Sequence, residues 1–193
     1  MSKQQKRAHA SSTRVSWQKP PLGWYKLNSD GASMGNPGQA RGGGLIRDSQ
    51  GQWVKGYMRK IGLATSVEAE FWALRDGLTL ASQMGINNIV VELDAKVVIE
   101  LVCATNTPNR YYTPLLNDCS TLLSRFQGMR IKHVYREGNK CADMLARESC
   151  WLMDDFVVLD SPLSNDLCIL LDADTTGMYS VRLVANYQPT VAS

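Results

Sequence analysis

Apolar and polar positions first fall into a regular pattern at Trp24. From there to Asp30 the chain reads Trp-Tyr-Lys-Leu-Asn-Ser-Asp, a weak alternation with two aromatics that predicts a strand. Residues 31–38 are rich in glycine, asparagine and proline and read as a loop. Residues 42–47 and 53–59 read as second and third strands, with Asp48-Ser49-Gln50-Gly51 as the hairpin turn between them. Phe71, Leu74, Leu78 and Ala81 then recur at i, i+3, i+7 and i+10, one apolar stripe along a helix. Ser66 suits its N-cap, Glu68 and Glu70 suit the positive end of its dipole, and Gly85 suits its stop. A β-branched run, residues 88–93, closes on Asp94 as a fourth strand. Short helices are expected over residues 97–102 and about 114–126, and a fifth strand over 129–134. Asn139 would cap a last helix through Ala142, Leu145 and Ala146.

The order β-β-β-α-β-α-α-β-α implies an antiparallel meander of three strands. The two later strands, each preceded by helix, should add in parallel through right-handed crossovers. The expected fold is therefore α/β, a five-stranded mixed sheet flanked by helices. It occupies residues 24–149, between an extended arm (1–23) and a less regular tail (150–193).

Charge adds to this division. Residues 1–23 carry Lys3, Lys6, Arg7, Arg14 and Lys19 and no acid, whereas residues 150–193 carry six aspartates against Arg182. The arm is expected to be a flexible, solvated segment able to touch nucleic-acid phosphates, and the tail to be acidic. The N-terminus lacks the apolar core of a secretory signal, and no apolar run is long enough to cross a bilayer. The expected location is intracellular, nucleus or cytoplasm, without a membrane partner and as a monomer. Five scattered cysteines with no CxxC pair, and two histidines without zinc spacing, read as buried free thiols.

Four acids stand where this topology can gather them. Asp30 and Asp94 lie at the ends of the first and fourth strands, Glu70 in the first turns of the long helix, and Asp143 near the start of the last. Polar groups just beyond strand ends in an open α/β sheet sit where ligands bind. Carboxylates that converge repel one another unless cations neutralise them. Oxygen-seeking Mg²⁺ or Mn²⁺ suits such a set, and two ions about 4 Å apart can hold a phosphodiester for in-line attack.

The words around these acids resemble the ribonuclease H family, most of all the RNase H-like domains of plant retrotransposon-derived reverse transcriptase proteins. They are Asn-Ser-Asp-Gly-Ala-Ser (28–33), Gly-Asn-Pro-Gly (35–38), Gly-Gly-Gly-Leu-Ile-Arg-Asp (42–48), Glu-Ala-Glu-Phe-Trp-Ala-Leu (68–74), Val-Glu-Leu-Asp (91–94) and Arg-Glu-Gly-Asn-Lys-Cys-Ala-Asp-Met-Leu-Ala-Arg (136–147). The resemblance implies a two-metal endonuclease that cuts the RNA strand of RNA–DNA hybrids, with Asp30, Glu70, Asp94 and Asp143 as metal-binding catalytic acids. It selects Glu70 over Glu68, because the apolar stripe follows Glu70 as in the family and the two glutamates point in different directions. It also implies that Asn36 touches the substrate, and that Thr65 and Ser66 grip the DNA strand through hydroxyls and free N–H groups at the helix start.

Two departures from the family pattern qualify these expectations. The loop before the last helix, Tyr135-Arg136-Glu137-Gly138-Asn139, has no histidine. Arg136 could steady a leaving phosphate there but cannot shuttle a proton near neutral pH. His133 reads as a partly buried structural histidine of the preceding strand. The basic, Trp-rich protrusion of some relatives is also missing: residues 104–128 carry only Arg110 and Arg125 and no tryptophan. A reverse transcriptase supplied elsewhere, or the basic arm, would have to compensate. The competing expectation is a weak or inactive hybrid-binding domain derived from a retroelement.

Overall fold

A computed structural model describes residues 10–104 and 111–185. Lys3, Lys6, Arg7 and Arg110 lie outside the described residues. The elements run β1 (Ala10–Val15), β2 (Tyr25–Gly35), β3 (Gly38–Arg47), β4 (Trp53–Ala64), α1 (Ser66–Gln83), β5 (Asn88–Leu93), α2 (Lys96–Cys103), α3 (Thr113–Leu123), β6 (Gly128–His133), α4 (Lys140–Glu148), β7 (Phe156–Leu159), α5 (Asn165–Thr175) and β8 (Ser180–Ala185). Short 3₁₀ turns span Arg136–Gly138 and Ser149–Trp151.

The main sheet has the order β6-β5-β2-β3-β4-β7. β2, β3 and β4 form the antiparallel meander, and β5 and β6 add in parallel beside β2. This is the mixed α/β sheet expected from the sequence, with one more strand. β7, from the segment read as a less regular tail, pairs antiparallel with β4 as the sixth.

β2 and β3 are also longer than expected. The supposed loop 31–38 is mostly ladder, pairing Gly31 with Gly42 and continuing to Gly35 with Gly38. Gly35 takes φ +104°, and a Cβ on Gly38 would lie 2.0 Å from the Met34 carbonyl oxygen. Glycine here closes a tight hairpin instead of loosening a loop. At the next turn the Asp48 carboxylate accepts from the Gln50 and Gln52 N–H groups at 2.8 and 2.9 Å.

Each face of the sheet has its own core. On one side α1 lays Phe71, Leu74, Leu78 and Ala81 against Leu27, Ile46, Ile89 and Val91, with Cys119 and Leu122 of α3 completing the layer. On the other side Cys141, Ala142 and Leu145 of α4 and Leu167 and Leu171 of α5 cover Leu45 and Met58. All five cysteines are free, but only Cys119 and Cys141 are buried; Cys103 and Cys168 are exposed.

The terminal segments also depart from the expectation of a flexible arm and an irregular tail. β1 and β8 pair with each other as a separate two-stranded ribbon, Ala10 opposite Ala185 and Val15 opposite Ser180. Trp17, only 2% exposed, is part of the folded body. Among the described residues no helix is long and apolar enough to cross a membrane.

Candidate active site

Asp30 projects from β2 toward the α4 side, and Asp94 follows directly on β5, its parallel neighbour. Glu70 reaches the same rim from α1. An added Cβ on Gly31 would lie 2.2 Å from the Glu70 backbone nitrogen, so glycine alone lets α1 approach β2 this closely. The Gly31 N–H in turn donates to the Glu70 carboxylate at 3.1 Å. Gly43, opposite Asp30 on β3, plays the same part for α4: a Cβ there would lie 2.4 Å from the Ala146 nitrogen.

Asp30, Glu70 and Asp94 each offer a carboxylate oxygen, and the three oxygens lie within 4.8 Å of one another. The fourth acid is close but turned aside. Asp143 pairs with Arg147 one helical turn on, and with Arg136 at 3.6 Å. Arg136, 72% exposed, also lies 3.9 Å from Asp94, so its guanidinium spans two of the acids.

The cluster is electrostatically costly as it stands. Burial, reinforced by the charges of Asp94 and Asp143, pushes the Asp30 carboxyl up to about 8. Burial and then the Asp30 charge hold Glu70 well above the usual carboxylate range. Asp94 is raised by burial, against the pull of Arg136. One oxygen of Asp30, Oδ2, is buried with no hydrogen-bond partner. A compact all-oxygen donor set with an unsatisfied buried oxygen fits a hard divalent cation.

The helix start explains why Glu70, and not Glu68, faces this site. Thr65 is the N-cap of α1 and Glu68 its capping-box partner. Thr65 Oγ1 accepts from the Glu68 N–H at 3.2 Å, and the Glu68 carboxylate accepts from the Thr65 N–H at 2.7 Å. Ser66, read as the cap, is the first helical residue, and its N–H donates to Asn36 Oδ1 at 3.1 Å. Asn36, Thr65 and Ser66 thus meet at one spot. Two N–H groups expected to be free there are already satisfied within the protein. His133 is exposed, with its ring edge-on to Tyr135 at 5.4 Å, and is not the partly buried histidine expected. Trp53 and Trp72 are both half-buried.

Behind the acids lies a buried polar network that sequence reasoning did not find. Asn28 is its hub. Its Oδ1 accepts from Trp17 Nε1 and Arg47 Nη2, both at 2.9 Å, and its Nδ2 donates to Glu92 and to Asn139 Oδ1, both at 3.2 Å. All four hydrogen-bonding positions of the amide are therefore used. Lys26 binds Glu92 at 2.5 Å, and Arg47 binds Asp174 of α5 at 2.7 Å. The Arg47 guanidinium lies over the Trp17 ring, its Cζ 3.7 Å from the ring centre. Asn139 also donates to the Ser29 carbonyl at 2.9 Å, fixing the start of α4 next to Asp30. Both terminal segments thus help to place the helix that carries Asp143.

The family described as reverse transcriptase-like matches residues 28–149, a span that includes all four acids. The chain belongs to the reverse transcriptase-like family. Among its relatives, a candidate ribonuclease H protein of Arabidopsis thaliana is 34% identical over 170 residues, 88% of this chain. This chain spans only 27% of that protein's length. Ribonuclease HI of Halobacterium salinarum is 34% identical over 123 residues, 62% of this chain and 61% of the relative. The crystal structure of RNase H1 from H. salinarum superimposes with a TM-score of 0.62 at 33% identity, covering 66% of this chain and 97% of that one. The N-terminal RNase H domain of a Mycobacterium tuberculosis protein superimposes with a TM-score of 0.61 at 28% identity, covering 65% and 92% of the two chains. The reverse transcriptase-like chain thus has the ribonuclease H fold, and its solved neighbours are RNase H enzymes.

Proposed function

We propose that this chain is a metal-dependent endonuclease that hydrolyses the RNA strand of RNA–DNA hybrids. The observation that carries the reading is the triad Asp30, Glu70 and Asp94, with donor oxygens within 4.8 Å and Asp30 Oδ2 buried without a partner. These three acids would hold divalent ions, two Mg²⁺ or Mn²⁺, and Asp143 would complete the set once released from Arg147. Ions bound there supply a nucleophilic water at neutral pH and charge stabilisation at the phosphate.

The chain's own residues do the rest. The Gly31 N–H fixes the Glu70 carboxylate toward Asp30. Arg136 places a permanent positive charge beside Asp94 and Asp143, where a phosphate oxygen would develop charge. It cannot carry a proton, so the leaving oxygen must be protonated by solvent, and turnover should be slow. Asn36, Thr65 and the Ser66 hydroxyl would contact the substrate where they meet at the start of α1. An RNA–DNA hybrid is also the ligand in the solved complex of LC11-RNase H1, a neighbour in fold.

Incubating the full chain with Mg²⁺ or Mn²⁺ and end-labelled hybrid, duplex RNA, duplex DNA or single-stranded RNA tests the assignment. RNA products with 5′-phosphate and 3′-hydroxyl ends from the hybrid alone are expected. Equal cutting of duplex DNA would overturn the substrate class.

One observation favours a second reading, a hybrid-binding domain without turnover: Asp143 is held by both Arg147 and Arg136. Hybrid binding in Mg²⁺ with no product, restored to cutting by Arg147→Ala, would single out that reading.

A further inference from the structure

The β1–β8 ribbon is anchored on the segment that carries Arg136. Arg182 of β8 makes two contacts with Glu137, at 3.0 and 3.1 Å, and its guanidinium covers the Tyr135 ring at 4.5 Å. Lys140, the first residue of α4, donates to Ser180 Oγ at 2.9 Å. Val15 is buried near Gly138, where an added Cβ would lie 3.6 Å from it. The ribbon thus grips residues 135–140, on both sides of Arg136 and within three residues of Asp143.

Its charge is one-sided. Its strands, Ala10–Val15 and Ser180–Ala185, contain Arg14 and Arg182 and no aspartate or glutamate. The acids of the C-terminal segment all fall between Asp154 and Asp174. Arg14 is exposed and stacks over Tyr179 at 4.5 Å, with no carboxylate paired to it among the described residues. Tyr179 is 51% exposed and Tyr135 39%. An unpaired guanidinium held on an exposed aromatic ring, beside the acid site, matches what a nucleic-acid strand requires. The Arg14 charge meets a phosphate, and the Arg14–Tyr179 stack gives a base an exposed planar group to lie against.

We propose that the β1–β8 ribbon is this chain's substrate handle, holding a nucleic-acid strand through Arg14 and Tyr179 as it passes the acid site, while Arg182 fastens the ribbon to Glu137. The proposal rests on the nuclease reading only for the identity of the strand. It gives the chain a way to hold substrate although residues 104–128 carry only Arg110 and Arg125 as basic residues and no tryptophan.

The test is fluorescence anisotropy of the full chain with a labelled RNA–DNA hybrid in EDTA, from 50 to 200 mM salt, with folding checked by circular dichroism. Loss of one phosphate contact in Arg14→Ala should lower the slope of log K against log salt by about 0.9. The wild type's advantage over that variant should then shrink about 3.5-fold across this fourfold salt range. Tyr179→Ala should weaken binding at least about fivefold with the slope retained. Arg14→Lys, the least disruptive change, should keep the slope and lose affinity, because the charge stays and the stacking goes. Wild-type affinity and slope in both Arg14→Ala and Tyr179→Ala would overturn the proposal. Ribbon-dependent binding in a protein that cuts nothing would refute the nuclease reading and leave the handle standing. Cutting with ribbon-independent binding would do the reverse.

Discussion

Replacing Gly43 by alanine puts one methyl group where α4 touches β3. The new Cβ would lie 2.4 Å from the Ala146 nitrogen, 2.6 Å from the Leu145 carbonyl carbon and 2.9 Å from the Ala146 Cα. All three are backbone atoms, so no rotamer change relieves the clash. Reaching ordinary contact at about 3.4 Å requires α4 to retreat by roughly 1 Å (3.4 − 2.4). The core that moves with it includes Cys141, Ala142 and Leu145, packed on Leu45 and Met58. Overpacking of this kind costs about 1–3 kcal/mol. In a chain of 193 residues that lowers the Tm by roughly 2–12 °C. Asp143 and the Asn139 anchor ride on the same helix, and a misplacement near 1 Å can cost about 100-fold in rate. Urea unfolding and hybrid cleavage should therefore both fall, with the rate falling more than the remaining folded fraction explains. Wild-type stability and rate in Gly43→Ala would refute the claim that this glycine sets the position of α4.

Three further outcomes follow from the same structure. Asn28→Ala leaves Trp17, Arg47, Glu92 and Asn139 each short of a partner, and at about 1–3 kcal/mol per unsatisfied buried group it should cost at least about 3 kcal/mol in urea unfolding. Asp30 is raised from its unfolded value to about 8, so between pH 4 and 8 the folded state binds the extra proton and stability falls as pH rises. Metal-free protein should therefore lose stability relative to Asp30→Asn between pH 5 and pH 8, and Mn²⁺ should restore it at pH 8; parallel melting curves in EDTA would contradict this. Thr65→Ala removes the N-cap of α1 and should cost about 0.5–2 kcal/mol in the same unfolding assay, whereas Ser66→Ala should change stability by a few tenths.

The meander and the parallel additions were legible because each strand carries its own signal. β-branched runs end at Leu93, a glycine-rich hairpin joins β2 to β3, and the helical stripe begins at Phe71. The approach of Asp30 and Asp94 follows from that order, since β5 runs parallel to β2 and ends level with Asp30, although Asp30 itself lies inside the longer β2 and not at its end as expected. What escaped the sequence is non-local. Trp17 stands in a polar stretch and Asp174 in an acidic one, and neither position announces Arg47, which lies 1% exposed between them. The ribbon joins Ala10 to Ala185, too far apart in sequence for any local pattern to reveal. Net charge over residues 150–193 hid the acid-free stretch that forms β8. The cap fell one residue early because Thr65 and Ser66 are both good caps, and only the Glu68 side chain decides between them.

The most direct measurement is cleavage of a labelled RNA–DNA hybrid by the full chain in Mg²⁺ and in Mn²⁺, beside Asp30→Asn and an EDTA control. The acid triad as a metal-dependent nuclease centre predicts slow cutting of the RNA strand by the wild type, abolished by EDTA and by the substitution. Cutting by the wild type no faster than by Asp30→Asn, in either metal, would contradict it.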